Sequence, residues 1–297
     1  MATKINREKR FFKNRRRSAE GYDANARLAR NKMRIDKMKK GIFILPSLLT
    51  LSSIFLAFYA MIASIKGEFV LAGALILGAG FFDGIDGKVA RLTKTTTRFG
   101  LELDSLADVI SFGVAPAILV YNWALAPMAQ IGWVSAFVFV ACGALRLARF
   151  NVQSGNIDPK RFNGLPIPAA AAMLATTVLF CHKVGIEPAN LGLAILIAMF
   201  VLSFLMVSSV KFHAFKDLAM VREKPFSSTV GFVLILALVA VAPLIVPFLL
   251  CLAYVVSGPI MTAKGMIQTR FSKKSAIEET ASEDAPPATA NSGQNIP

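Results

Sequence analysis

Residues 69–91 read FVLAGALILGAGFFDGIDGKVAR, an uncharged apolar run that leads into two aspartates, Asp83 and Asp86. A run of about 20 apolar residues is long enough to cross the hydrocarbon core of a bilayer as a helix. The next apolar segment, RFGLELDSLADVISFGVAPAILV at 98–120, carries Asp104 and Asp108 near its start. These two segments predict a helical membrane protein with acidic side chains inside its spanning helices.

The rest of the chain repeats the apolar pattern. Of the 297 residues, 55% are hydrophobic, and the mean hydropathy of +0.57 exceeds that of soluble domains. Runs such as 191–207 are apolar on all sides, whereas strands of a membrane barrel alternate. We therefore predict an all-α, polytopic transmembrane bundle of about eight helices. They lie near 42–65, 68–91, 100–121, 130–150, 167–184, 189–210, 229–242 and 246–262.

Positive charge is concentrated before the first apolar run. The net charge is +15, and residues 1–41 hold 15 Lys+Arg against 4 Asp+Glu. This placement favours a cytoplasmic flank that faces anionic lipid over a surface that binds nucleic acid. Eight crossings put both termini and nearly all basic loops in the cytoplasm, whereas seven would leave the basic C-terminal flank outside. The predicted organisation is a basic arm (1–41), a membrane domain (42–262) and a disordered cytoplasmic tail (263–297).

The four aspartates form the candidate site, because ionisable groups within spanning helices are costly and mark function. Asp83 and Asp86 are three residues apart, and Asp104 and Asp108 are four apart, so each pair shares one helical face. Four carboxylates in one pocket repel each other unless a cation neutralises them. Oxygen ligands without His or Cys favour Mg²⁺, Mn²⁺ or Ca²⁺ over Zn²⁺, and four carboxylates suffice for two ions astride a diphosphate.

Glycines and basic residues surround the aspartates. The glycines remove side chains where a phosphate or a partner helix approaches closely; they are Gly84, Gly87 and Gly100. The cations add positive charge beside an anionic ligand; they are Lys88, Arg91, Lys94 and Arg98. The alternative is that Asp104 and Asp108 form structural ion pairs with Arg91 and Arg98.

The sequence Asp83-Gly-Ile-Asp86-Gly87-Lys-Val-Ala90-Arg91, followed by Gly100, Asp104 and Asp108 at fixed spacing, resembles the full signature of the CDP-alcohol phosphatidyltransferases. The resemblance implies a helical membrane enzyme, typically a homodimer, whose aspartates hold divalent metal on the diphosphate of a CDP-linked substrate. It places Asp83, Asp86 and Asp104 at the metal-ligand positions. Asp108 takes the position of both a metal ligand and the general base.

Two further segments bear on the acceptor alcohol. Residues 144–151, ALRLARFN, and 162–171, FNGLPIPAAA, resemble segments characteristic of the bacterial phosphatidylserine synthase branch. That resemblance implies CDP-diacylglycerol and L-serine as substrates, and the bacterial inner membrane as the location. Glycerol 3-phosphate or an inositol derivative is the alternative acceptor. One departure is that Pro46-Ser47 stands where the family commonly has Pro-Asn.

Three cations are candidates for binding the acceptor or the lipid phosphate. Arg146 and Arg149 offer bidentate geometry to a carboxylate or phosphate, and Lys216 follows in a later basic loop. The alternative is that they extend to the cytoplasmic surface as ordinary basic flanks. From a different class, a metal-ion transporter also carries acids within helices. Its acids are expected along a path near the midplane, whereas these cluster near one face.

Overall fold

The computed structural model describes residues 46–93, 97–153, 161–213 and 225–262. The basic arm, the tail, Lys94 and Lys216 lie outside these ranges. Within them the chain forms nine helices and one short strand pair. The first four helices are α1 (Pro46–Ile65), α2 (Phe69–Leu92), α3 (Arg98–Asp108) and α4 (Ala115–Val120). The other five are α5 (Ala129–Gln153), α6 (Ile167–Val184), α7 (Gly192–Val207), α8 (Pro225–Val241) and α9 (Val246–Thr262).

The third apolar segment, from Arg98 to Leu125, is a continuous helix that alternates between α-helical and π-helical turns. α3 passes into a π-helix, Val109–Val114, then into α4 and a second π-helix, Tyr121–Leu125. A 3₁₀ turn, Ala126–Met128, and a positive φ of 48° at Ala129 then reverse the chain. Because α5 packs back against α4 and both π-helices, the range Arg98–Val152 contains two helical segments. They correspond to the predicted helices 100–121 and 130–150.

In the part of the chain that the structure describes, four apolar ranges are long enough to cross a membrane: Pro46–Ile65, Phe69–Leu92, Arg98–Val152 and Ile167–Val184. The helices α7, α8 and α9 are apolar but shorter. Large apolar side chains are exposed on the outside of the bundle, as expected where lipid is the solvent. The predicted all-α membrane architecture is confirmed, while the count of eight crossings stays a prediction.

Small residues and hydroxyls bring the helices together. On α1 the buried residues Ala57, Ala60 and Ala63 share one face. The buried Ser53 hydroxyl donates a hydrogen bond to the Ala79 carbonyl oxygen, 3.1 Å away on α2. Small residues allow close backbone approach between membrane helices, and serines bond across the interface. Along the core, α2 packs on α6 and α5 packs on α7.

Two short strands join the connections that follow α5 and α7. β1, Arg161–Asn163, pairs antiparallel with β2, Lys211–His213, and Arg161 stands opposite His213. The next residue, Gly164, has a φ of +87°, and a Cβ there would collide with the Met206 carbonyl oxygen. Its N–H donates to the Val210 carbonyl oxygen at 2.9 Å. This strand pair, which the sequence did not predict, ties the two connections together at one end of the bundle.

Candidate active site

The four aspartates converge where the end of α2 meets the start of α3. One carboxylate oxygen from each of Asp83, Asp86 and Asp104 lies within 4.8 Å of the others. The carboxyl of Asp108 lies close enough to that of Asp83 for the two to interact directly. The structure therefore brings the aspartate pair of α2 close to the aspartate pair of α3.

The start of α3 is fixed by a side-chain cap. Thr97 has extended backbone, and its Oγ1 accepts a hydrogen bond from the Gly100 N–H at 3.0 Å. This cap satisfies one of the free amide groups at the helix start. A Cβ at Gly100 would lie 3.2 Å from Thr97 Oγ1, so the cap itself favours glycine there.

The glycines of α2 have a different explanation. A Cβ at Gly84 would meet no described atom within 4 Å, and a Cβ at Gly87 would meet only the Arg91 side chain, at 4.0 Å. Close packing by a described helix therefore does not require glycine at either position. Gly87 lines the cavity described below, which fits the space for a ligand predicted there, whereas Gly84 does not line it.

Thr50 is a site residue that the sequence reasoning missed. Its hydroxyl lies 2.8 Å from Asp86 Oδ2 and 3.0 Å from the Pro46 carbonyl oxygen. Asp86 is only 3% exposed, so this contact holds a carboxylate that little water can reach. The available signal was the spacing of Ser47 and Thr50, which places two hydroxyls on one face of α1.

An open cavity of about 230 Å³ lies beside the cluster, between the starts of α1 and α3 and the end of α2. Gly87, Arg91 and Gly100 line it, as do Asp86 and Asp104. The other lining residues are Pro46, Ser47, Thr50, Ala90, Thr97 and Leu101.

Of the substrate-binding residues predicted on α2, Gly87 and Arg91 line the cavity. Ser47, at the position where the sequence departs from Pro-Asn, faces the cavity. Lys88 is exposed and does not line it.

The charges around the cluster fit a metal site better than structural ion pairs. The charged neighbours of Asp83 are Asp86, Asp104 and Asp108. Arg91 donates its Nε hydrogen to the Gly87 carbonyl oxygen at 2.8 Å, so it is held by its own helix. Carboxyl groups this close repel each other unless a proton or a cation lies between them. The donor set is entirely oxygen, which suits a hard divalent cation.

The candidate cations of α5 divide into one that faces the aspartates and one that does not. Arg146 is half-buried and interacts electrostatically with Asp108, and its buried Nε has no hydrogen-bond partner among the described residues. Arg149 is exposed and lies 3.4 Å from the Val207 carbonyl oxygen through Nη1. The structure thus places Arg146 at the site and Arg149 outside it.

The segment after Asp108 is unusual in its pitch. α3 ends at Asp108, and the π-helix Val109–Val114 starts at the next residue and buries Ser111 and Phe112. Such wide turns are rare and occur often at functional sites. The end of α5 is tied to the same region, since Asn151 Nδ2 donates to Ser105 Oγ at 2.9 Å. Arg146 and Asp108 are therefore carried by two helices that are joined by a direct contact.

Several known proteins are similar in sequence to more than half of this chain. A Helicobacter pylori protein named CDP-diacylglycerol–serine O-phosphatidyltransferase is 42% identical over 175 residues, 59% of this chain and 74% of its own. A Methanocaldococcus jannaschii protein of the same name is 42% identical over 184 residues, 62% and 80% of the two chains. A Mycobacterium tuberculosis protein, also of that name, is 33% identical over 215 residues, 70% and 72% of the two chains.

The family model described as CDP-alcohol phosphatidyltransferase matches residues 43–205, which is more than half of the chain. The matched range includes the four aspartates, the cavity and Arg146. The chain therefore belongs to the CDP-alcohol phosphatidyltransferase family.

Proposed function

We propose that this protein transfers the phosphatidyl group of CDP-diacylglycerol to the hydroxyl of L-serine, giving phosphatidylserine and CMP. The observation that carries the proposal is the convergence of four carboxyl groups beside an open cavity, with the Arg146 guanidinium within electrostatic reach of Asp108. The names of the three relatives point to the same donor and acceptor.

The cluster of carboxylate oxygens fits divalent cations. We propose that these are Mg²⁺ or Mn²⁺ and that each site holds two ions. Asp83, Asp86 and Asp104 would hold them, with Asp108 as a further ligand. When bound, the metal supplies positive charge that neutralises the diphosphate and stabilises the departing CMP. The Thr50 hydroxyl holds Asp86 in place for this role.

Asp108 is the proposed general base. It accepts the proton of the serine hydroxyl while the serine oxygen bonds to the phosphorus of the phosphatidyl group. The bond from that phosphorus to the CMP oxygen breaks in the same exchange, so atoms and charge balance without a covalent enzyme intermediate. Arg146 interacts electrostatically with Asp108, and its buried Nε hydrogen, which has no acceptor among the described residues, suits the serine carboxylate.

The setting of the reaction is part of the proposal. We place the aspartate end of the bundle at the cytoplasmic face of the bacterial inner membrane, where the nucleotide enters from water and the acyl chains stay in the bilayer. The basic loops on this side support that orientation. The family resemblance supports a homodimer as the working unit.

Purified protein in detergent, supplied with CDP-diacylglycerol, tests the proposal directly. We expect CMP release that depends on serine, and a lipid product with the mass of phosphatidylserine. Glycerol 3-phosphate needs a denser cationic pocket for its doubly charged phosphate than Arg146 alone provides. Faster CMP release with glycerol 3-phosphate or an inositol derivative would replace the acceptor and leave the aspartate chemistry standing. CMP release that is absent with every acceptor would refute the enzyme activity.

A further inference from the structure

One buried hydroxyl of α1 contacts both segments that carry the aspartates. Ser53 Oγ lies 3.1 Å from the Ala79 carbonyl oxygen of α2 and 3.3 Å from Ser111 Oγ of the π-helix Val109–Val114. A hydroxyl has one hydrogen and two acceptor lone pairs, so Ser53 can donate to Ala79 and accept from Ser111 at the same time. Both serines are at most 1% exposed, so little water competes for these bonds.

On the α2 side, the contact of Ser53 is one helical turn from Asp83. Ala79 precedes Asp83 by four residues within α2. In an α-helix the carbonyl oxygen of residue i accepts the N–H of residue i+4. The Ala79 carbonyl oxygen therefore receives the Asp83 N–H as well as the Ser53 hydroxyl. This shared acceptor joins Ser53 to the stretch of backbone from which the Asp83 carboxylate extends.

On the α3 side, the contact of Ser53 holds the wide turn that follows Asp108. Each residue of an α-helix advances about 100° around the axis, and each residue of the wider π-helix advances less. A return of Val109–Val114 to α-helical pitch would therefore rotate Asp108 relative to Ser111. The hydrogen bond between Ser111 and Ser53 opposes that rotation, because a buried hydroxyl that loses its partner is left unsatisfied.

The packing around the two serines is close. The buried Phe112, next to Ser111, lies over Gly80 of α2, where an added Cβ would be 3.5 Å from the Phe112 ring. The π-helix also packs on α5 and α6. Close-packed interiors leave few voids into which a displaced side chain can move, so a shift at Ser111 is passed along the chain. Asp108 is three residues away.

We propose that Ser53 is a positioning residue. By holding the α2 backbone at Ala79 and the π-helix at Ser111, its hydroxyl sets the separation and orientation of the Asp83 and Asp108 carboxyl groups. This role rests on the proposed function, since it assumes that Asp108 removes the proton of the acceptor hydroxyl. It differs from the role of Thr50, three residues earlier on the same face of α1, which contacts the Asp86 carboxylate directly.

The test compares Ser53→Ala, Ser111→Ala and the double variant with wild type in serine-dependent CMP release. We expect kcat to fall about tenfold in each single variant, because a small displacement of a reacting group slows the reaction. The KM values for serine and CDP-diacylglycerol should stay within about threefold of wild type, since neither hydroxyl lines the cavity. The double variant should be as slow as Ser53→Ala alone, because the contact between the two serines is already lost.

Ser64→Ala is the matched control at the opposite end of α1. Ser64 is also 1% exposed, its Oγ lies 3.3 Å from the Ile118 carbonyl oxygen, and Asn122 Nδ2 donates to it at 3.2 Å. Ser64→Ala and Ser53→Ala should each lower the thermal midpoint by about 2–4 °C, as expected for one lost hydrogen bond. The kcat of Ser64→Ala, measured well below the midpoint, should stay within about twofold of wild type. The comparison separates a loss of stability from a displacement of the aspartates.

Two outcomes overturn the inference. A kcat in Ser53→Ala that equals the kcat in Ser64→Ala shows that the Ser53 hydroxyl contributes stability alone. Losses of kcat that multiply in the double variant show that the two hydroxyls act separately. If Ser53→Ala does not fold, Ser111→Ala makes the same comparison with Ser64→Ala, because it removes only the contact with the π-helix. Wild-type protein that releases no CMP in response to serine refutes the proposed function itself, and this is seen before any variant is compared.

Discussion

At the scale of single residues, Asp83, Asp86 and Asp104 are distinguished by having other carboxylates as close neighbours. We expect Asp83→Asn, Asp86→Asn and Asp104→Asn each to reduce CMP release to near background. The amide keeps the size of the side chain but loses the charge that holds a cation and, through it, the diphosphate. Glu102→Gln is the control, because Glu102 is an exposed acid on the same helix as Asp104. Folded cluster variants that match the activity of this control would remove the aspartates from the reaction.

Asp108 is expected to act on the rate more than on binding. Asp108→Asn should lower kcat by about 10²–10⁴, the usual contribution of a positioned general base, and leave the KM for CDP-diacylglycerol within a few-fold of wild type. Steady-state CMP release at varied CDP-diacylglycerol measures both constants. A kcat close to wild type would assign proton removal to another group.

Thr50 tests whether a residue that holds a proposed metal ligand in place affects metal binding. Thr50→Val removes the hydroxyl that lies 2.8 Å from Asp86 and keeps the shape of the side chain. We expect the Mg²⁺ or Mn²⁺ concentration for half-maximal activity to rise about 10- to 100-fold, as for other residues that orient metal ligands. Thr50→Ser keeps the hydroxyl and should stay near wild type. Equal metal requirements in the valine and serine variants would count against this role.

The aspartates could be predicted from the sequence because the members of each pair are three or four residues apart on one helix. The residues that support them could not, because they come from other helices that are distant along the chain. Asp83 and Asp86 share a helical face whatever the tertiary structure, and so do Asp104 and Asp108. The hydrogen bond from Thr50 to Asp86 depends on how α1 packs against α2, which no local pattern encodes. For the same reason the sequence offered Arg146 and Arg149 as equals, and only the packing of α5 separates them.

At the scale of elements, apolar runs predicted the helices to within a few residues but not their changes of pitch. The π-helices after Asp108 and Val120 lie inside continuous apolar sequence, so hydropathy gives no sign of them. β1 and β2 contain three residues each and are distant along the chain. Strands this short have no measurable alternation, and their pairing is a consequence of how α5 and α7 pack.

The strand pair yields a prediction about stability. Gly164 and Gly67 both have positive φ, but only Gly164 has backbone atoms in the space of a Cβ. We expect Gly164→Ala to cost roughly 3 kcal/mol and Gly67→Ala about 1 kcal/mol, because strain at positive φ acts alone at Gly67. Thermal unfolding in detergent measures the difference as a larger drop in midpoint for Gly164→Ala. Equal decreases in the unfolding midpoint would show that the backbone around Gly164 can shift to accept a Cβ, and that the connection after β1 does not stabilise the end of the bundle.

At the scale of the whole molecule, the two ends of the bundle have different character. The aspartate cluster, the cavity, Arg146 and the strand pair lie at the end where α2 finishes and α3 begins. The opposite end consists of tight turns at Gly67, at Ala126–Met128 and at Gly185. Among the described residues, Lys88, Arg91, Arg98, Arg146 and Arg149 lie at the first end. Charge and chemistry therefore point to the same side of the membrane.

This asymmetry predicts the orientation of the chain. Positive residues near spanning helices stay in the cytoplasm, so the site end and both termini should face inward, with an even number of crossings between them. In protein without its native cysteines, single cysteines at Gly67 and Ile186 should react with an impermeant maleimide in intact cells. Cysteines at Thr97 and Ser275 should react only after lysis. Labelling of Ser275→Cys in intact cells would require an odd number of crossings, and α8 and α9 would then cross the membrane once together.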